Sequence, residues 1–498
     1  MGLIIRQSFK ASISNYIGLA LAFLSLFILF PLFFNPEELG AVTLFIELGT
    51  VLSAFALMGT SSSINRFFPY FKTNDQKHHG FFFWVLIIPG VGFVILSIIL
   101  SILGSAFFTF INENAMQYSG LFPMLICLIF FNIYIVVTEV SCANHGRIAV
   151  TNFSKEVIMR ILILLSASLY FFEIINFEIC IWLIVASYGL TLVINILFLS
   201  KLTKINLKPD FIFFKENQKL KKEIIMYSFV LIFSAMFSLV IPKIDFFLIS
   251  KIQKDLSNVA IYRIGFYLAT FIEIPRRTIM QISLPLISKQ LKDNNINDLN
   301  ILNKKNGTNQ LIIASLLFFL IWLNIDNLYA IMPKGEFYKQ GKWVVFIIGL
   351  SKVIESINST YSPIISNSKL YKWVPFIIIF NSFFAIVFNY YFITLYGFIG
   401  GAISSLLTML ILNIFSNILI HQHLKTNPFE KLQLKIIGVF ILFLLFSFLG
   451  CWFSNPIFDA ITRTIILGPL YVLSIYKLNI SKEFNELLMS KIPFLKRT

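Results

Sequence analysis

The sequence predicts an all-α integral membrane protein of about 14 transmembrane helices, arranged as two pseudo-symmetric six-helix lobes plus a C-terminal helix pair. Three observations predict it. The chain of 498 residues is 57% hydrophobic and only 13% charged, whereas soluble domains carry roughly a quarter charged residues. Its apolar residues come in long runs, such as Leu19–Phe34, Phe81–Phe110, Ile158–Phe172 and Leu311–Leu323, with few or no charges. About 20 helical residues cross a hydrocarbon core, and backbone in lipid must satisfy its own hydrogen bonds, so runs this long are helical. A β-barrel would need short alternating segments instead, and none are present. Finally, basic residues concentrate in every second connection, as the positive-inside rule requires.

Taken in order, the expected spans are 12–34, 40–64, 81–110, 119–143, 153–173, 178–200, 224–249, 258–285, 310–331, 343–365, 372–395, 398–420, 434–453 and 460–478. With Arg6 and Lys10 on the cytoplasmic side, the alternate connections carry Arg66, Lys72 and Lys77, then Arg147 and Lys155, then seven lysines between Lys201 and Lys222. The pattern continues through Lys289 to Lys305, Lys369 and Lys372, Lys425 to Lys435, and the tail from Lys477 to Arg497. The intervening loops 35–39, 111–119 and 173–178 have no lysine, although Lys251 and Lys254, and Lys334, Lys339 and Lys342, break the alternation. Both termini are therefore expected in the cytoplasm, with the chain in a bacterial inner membrane. The expected division is an N-terminal six-helix lobe (1–200), a basic cytoplasmic linker (201–223), a C-terminal six-helix lobe (224–425), and an extra helix pair with a basic tail (426–498). Six plus six around a linker suggests a duplicated transporter. Segments 37–72 and 257–292 share a faint layout of outer turn, apolar span, then Ser, Pro and Lys.

Composition excludes other classes. The net charge of +16 would point to nucleic acid in a soluble protein, but here the lysines lie between spans and serve topology. Cys127, Cys142, Cys180 and Cys451 sit in or beside apolar runs, with spacing that fits neither a disulfide framework nor a zinc site. The first apolar run is long and lacks a small-residue cleavage site, so a retained helix is expected. There is no G-x-x-x-x-G-K-[ST] phosphate loop. The pairs His78–His79 and His421-x-His423 lack the further ligands a metal site needs. The outer loops are too short for a catalytic domain, so no enzyme activity is expected.

Four stretches are similar to the polysaccharide-exporter branch of the multidrug/oligosaccharidyl-lipid/polysaccharide (MOP) exporter superfamily, which contains the O-antigen flippases. Pro36 to Pro69, PEELGAVTLFIELGTVLSAFALMGTSSSINRFFP, matches in Glu38, Gly40, Gly59, Ser62, Arg66 and Pro69. GRIAVTNFSKEVIMRILILL matches in Gly146, Arg147 and Arg160. The region from Lys243 to Lys289 matches in Asp245, Tyr262, Pro275 and Pro285, and the turn near Asn389 matches in Tyr396, Gly397, Gly400, Gly401 and Ala402. The chain departs from the pattern at Gly40-Ala41-Val42, and fourteen spans exceed the twelve of many relatives. The resemblance, over about residues 1–425, implies a flippase that moves an undecaprenyl-diphosphate-linked oligosaccharide of O-antigen, capsule or similar glycan to the outer leaflet. It implies a lipid-linked oligosaccharide as substrate, membrane lipids and a glycan polymerase or export machinery as partners, and no nucleic acid. Sister readings are a multidrug exporter of the same superfamily and a peptidoglycan lipid flippase.

Charges inside spans are costly and normally face a cavity or a partner. The cation candidates are Arg66, Arg147, Arg160, Lys243, Arg263, Arg276, Arg277 and Lys352. Guanidinium forks suit diphosphate oxygens, so these cations are expected to line a cavity between the lobes that the headgroup crosses by alternating access. Simpler outlets exist. Arg160 and Arg263 could snorkel; Arg66, Arg147, Arg276 and Arg277 could mark topology. Glu273 is spaced to pair with Arg276 and Arg277, and Lys352 with Glu355. Glu47, Asp245, Glu273 and Glu355, with Glu139 beside them, are the candidates for coupling to a proton or sodium gradient; no other cofactor is expected. Pro89, Pro123, Pro242, Pro275, Pro363 and Pro375 are candidate kinks, and Gly400-Gly401-Ala402 a close-packing patch.

Overall fold

The computed structural model describes residues 14–73, 78–111, 120–219, 221–222, 224, 241–447, 450 and 452–491, apart from a few side chains within them. All its regular elements are helical. In order they are α1 (Ser14–Phe33), α2 (Pro36–Ala56), α3 (Thr60–Phe71), α4 (Phe81–Ile111), α5 (Phe122–Asn144), α6 (Ala149–Phe153), α7 (Met159–Phe171) and α8 (Phe177–Leu202). A short α9 (Phe211–Glu216) follows, then α10 (Ile244–Gln253), α11 (Leu256–Thr270), α12 (Ile274–Lys292), α13 (Ile296–Leu323), α14 (Ile325–Ile331) and α15 (Gly335–Tyr338). The last are α16 (Lys342–Ile357), α17 (Tyr361–Asn367), α18 (Val374–Tyr396), α19 (Phe398–Leu424), α20 (Lys431–Ser447), α21 (Pro456–Lys477) and α22 (Lys482–Lys491).

Nine described helices are long and apolar enough to cross a membrane, or ten if the bent pair Gly335–Ile357 and Tyr361–Asn367 counts as one span. The remaining expected spans differ for stated reasons. Residues 225–240 of the expected 224–249 lie outside the described residues. The 153–173 span is interrupted by a π-helical turn, Ser154–Ile158. The 258–285 span is two helices joined by a 3-10 turn, Phe271–Glu273, that carries charge. The 434–453 span has 17 helical residues in α20. The expected 40–64 helix stops at Ala56, because Met58 (φ 48°) and Gly59 (φ 70°) take left-handed conformations before α3 begins.

Contacts divide the chain into two compact units, Met1–Ala260 and Ile261–Thr498. The basic linker therefore packs with the first unit, and the last helix pair with the second. In the first, Asn35 starts α2 with a capping box: its N–H donates to Glu38 Oε2 at 2.8 Å, and Pro36 opens the helix. Such reciprocal caps satisfy the free donors of a helix start. Mostly buried, α2 packs on α4, α5 and α10. Backbones come close because Gly40 faces the Leu256 carbonyl and Gly92 the Ala56 carbonyl. By contrast α4 is largely exposed, with Ile98, Ile102 and Leu103 turned outward, as lipid-facing positions should be.

In the second unit α13 and α16 form the centre, packed on α19, α20 and α21. Outward-facing Phe383, Tyr390 and Tyr391 leave α18 mostly exposed, while its inner side lies along α19. One end of this unit is tied by a cluster of Ile287, Leu299, Ile364, Leu370, Ile377 and Leu419. Three of the six expected prolines start helices: Pro123, Pro275 and Pro375 occupy first turns, where a missing N–H costs nothing. Pro89 does sit inside α4.

Candidate functional site

The α11–α12 junction brings charge together in the second unit. The 3-10 turn ends at Glu273, Pro275 restarts the helix, and Arg276 and Arg277 follow in the first turn of α12. Glu273 Oε1 accepts from Arg276 Nη2 at 3.0 Å and from Arg277 Nε at 3.3 Å. Facing this turn, α16 supplies Lys352 and Glu355. Lys352 Nζ lies 2.8 Å from Glu273 Oε2 and 3.2 Å from Glu355 Oε2, and Arg276 Nη2 lies 2.9 Å from Glu355 Oε1. The four side chains close a ring in which each carboxylate bridges the same two cations. Their side chains are only 12–21% exposed, whereas Arg277 is 67% exposed. Three cations against two carboxylates leave one formal positive charge, and Arg277 is its accessible end.

That geometry answers a physical need. A lone charge removed from water is severely penalised, and breaking a buried pair leaves its partner uncompensated. A closed ring lets Arg276 and Lys352 stay ionised inside the helical bundle. It also holds the guanidinium of Arg277 against a fixed carboxylate, ready to present its remaining donors to an oxygen-rich anion.

In the first unit the ion pairs are spread over several helices. Glu47 on α2 is buried and meets Lys243 Nζ at 2.8 Å; Lys243 also lies 5.8 Å from the Phe246 ring. Asp245 is buried in the first turn of α10. Glu139 on α5 holds Lys155 at 3.0 Å, and Glu156 holds Arg160 at 2.7 Å. Exposed Arg66 lies 5.4 Å from the Phe67 ring. Arg147 occupies the half-buried turn between α5 and α6. In the second unit, Arg263 lies 5.8 Å over Tyr267. The structure thus joins five of the predicted residues in one cluster, pairs Glu47 with Lys243, and pairs Arg160 with Glu156.

Sequence reading missed one buried pair. Asp459 Oδ2 lies 3.4 Å from Arg463 Nη1, both almost fully buried in α21. Asp459 also accepts from Asn327 Nδ2 at 2.6 Å and from the backbone N–H groups of Trp452 and Phe453 at 2.6 and 3.0 Å. The D-x-x-x-R spacing inside an apolar run was the available signal. The Glu156–Arg160 pair, also at i, i+4, was missed in the same way.

No family model matches the chain, and no curated protein matches it. Solved structures do. A structure of the lipid II flippase MurJ in an inward closed conformation aligns with a TM-score of 0.72 at 15% identity, covering 98% of this chain and 99% of that one. The two share one fold. An inward-facing multidrug resistance MATE family transporter of the MOP superfamily aligns with a TM-score of 0.61 at 13% identity, over 82% of this chain and 98% of that one. A MOP superfamily transporter from Pyrococcus furiosus gives 0.54 at 14% identity, over 85% and 96%. The chain therefore shares the multi-pass helical fold of these structures.

Proposed function

We propose that this protein flips an undecaprenyl-diphosphate-linked oligosaccharide, a repeat of O-antigen, capsule or a similar surface glycan, from the cytoplasmic to the outer leaflet of a bacterial inner membrane by alternating access. The observation that carries the flippase reading is the extent of the structural likeness: the flippase structure covers 98% of this chain, the two transporter structures above only 82% and 85%. The chemistry of the second unit supports it. A net positive ring ending in accessible Arg277 suits a diphosphate; a pocket for organic cations would favour uncompensated acids and aromatic faces. Lipid II is the second reading, favoured by the same structural neighbour. Both cargoes share the diphosphate that the cations would meet, and differ in the sugar.

Complementation tests this. The chain is expressed in two bacterial hosts, one lacking its O-antigen flippase and one depleted of its lipid II flippase. Surface glycan restored in the first supports the proposal, and growth restored only in the second supports the lipid II reading. Correct insertion with neither rescue, together with drug resistance conferred on a sensitive host, would overturn both. Arg277→Ala should cut rescue at least tenfold at equal membrane level.

A further inference from the structure

The segment after α8 carries a feature apart from the charge cluster. Because α8 crosses the membrane and ends at Leu202, the residues that follow emerge at the membrane–water boundary. They are then strapped to the start of α4, another span. Buried Thr203 Oγ1 lies 2.9 Å from His78 Nε2, and Asp210 Oδ2 lies 3.1 Å from His79 Nδ1. Phe213 stacks on His79 with ring centroids 4.3 Å apart, and Phe211 meets Trp84 edge-on at 5.8 Å. The strap passes so close to Gly80 that a Cβ there would lie 2.6 Å from Lys208 O and 2.7 Å from Asp210 N. His78, His79 and Gly80 all take positive φ to allow this, and such strain in non-glycine residues persists only where surroundings enforce it. Both anchor points are ends of spans, so the strap is fixed at headgroup depth.

Its outer surface mixes two chemistries. Leu207, Phe211 and Ile212 are 59–68% exposed. Around them Lys204, Lys208, Lys215, Lys219, Lys221 and Lys222 are all exposed. Across 204–222 these six lysines against Asp210 and Glu216 give +4. Large apolar side chains set among lysines are the signature of a segment lying in the interface plane, with its apolar groups at the acyl boundary and its ammonium groups at the phosphates. We propose that residues 204–222 bind anionic phospholipid headgroups of the leaflet at which α8 ends, anchoring this strap of the first unit.

Hydrogen exchange on the full-length protein tests this in nanodiscs of zwitterionic lipid alone and with a third of anionic phosphatidylglycerol. Amides of 204–216 should exchange at least about tenfold more slowly with the anionic lipid, and the difference should shrink as salt rises. The triple variant Lys208→Gln, Lys215→Gln, Lys219→Gln should lose that difference, while exchange in α2 and α13 stays unchanged. Ile212→Ser should speed strap exchange in anionic nanodiscs. Equal exchange in both lipids overturns the proposal: if Ile212→Ser still speeds it, the contact is apolar only, and if it does not, the exposed face serves something other than lipid.

Discussion

Gly40 and Gly438 show how differently two helical glycines are constrained. A Cβ on Gly40 would lie 1.8 Å from the Leu256 carbonyl oxygen, whereas one on Gly438 meets nothing within 4 Å. Gly40→Ala should therefore destabilise the protein by about 3 kcal/mol or more, since overpacking against backbone cannot relax cheaply. Gly438→Ala should be neutral or stabilising by up to about 1 kcal/mol. Thermal unfolding of the detergent-solubilised variants checks both. The charge ring separates structure from function in the same way. Arg276→Ala opens the ring and leaves its two buried carboxylates to share Lys352, at a cost of about 3 kcal/mol. Arg277, on the accessible side, should leave the unfolding temperature unchanged when replaced by alanine, while transport falls. A large stability loss for Arg277→Ala would remove it from the substrate path. At this scale the sequence made the pairs of Glu273 with Arg276 and of Lys352 with Glu355 legible through their spacing. It could not close the ring, because Arg276 with Glu355 and Lys352 with Glu273 join positions about 80 residues apart in the chain.

Elements carry the next set of consequences. The span expected at 258–285 is cut by a 3-10 turn at Phe271–Glu273, and the bend of 50° between α16 and α17 falls at Asn358–Thr360. At that bend the Ile357 carbonyl approaches Gly307 of α13, and the Thr360 hydroxyl bonds Asn303. A close backbone approach and a side-chain hydrogen bond thus fasten the bend to α13. The strap near α4 should respond to acid through Asp210. The Phe213 N–H, and then His79, hold the Asp210 carboxyl below the usual carboxylate range. A lowered folded-state value means stabilisation that is full at neutral pH and lost as pH falls through it. Strap amides should therefore lose protection below about pH 4, and Asp210→Asn should weaken that loss. An acid profile unchanged by Asp210→Asn would show that another group controls it. Helix existence was readable from hydrophobic runs. The breaks were only hinted at, because the single Gly59 and the single Pro275 that stand beside them are residues that unbroken membrane helices also tolerate.

Across the whole molecule, the basic connections give an even number of spans and predict that both ends face the same side. Reporter fusions at residues 1 and 498, one active only in the cytoplasm and one only outside it, should agree; opposite signals would require an odd number of spans. Fold class was determined by the sequence alone, because hydrophobic runs long enough to cross lipid leave the backbone no alternative to helix. So was the stock of intramembrane charges, each visible as a polar letter in an apolar run. Only the tertiary structure decided which charges close into one ring, which helices are core and which face lipid, and that α2 is buried while the more apolar α4 is not. In a soluble protein, amphipathic periodicity would have shown which face is buried. In lipid, both faces of a span are apolar, so burial is set by which helices pack together, and that depends on residues distant in the chain.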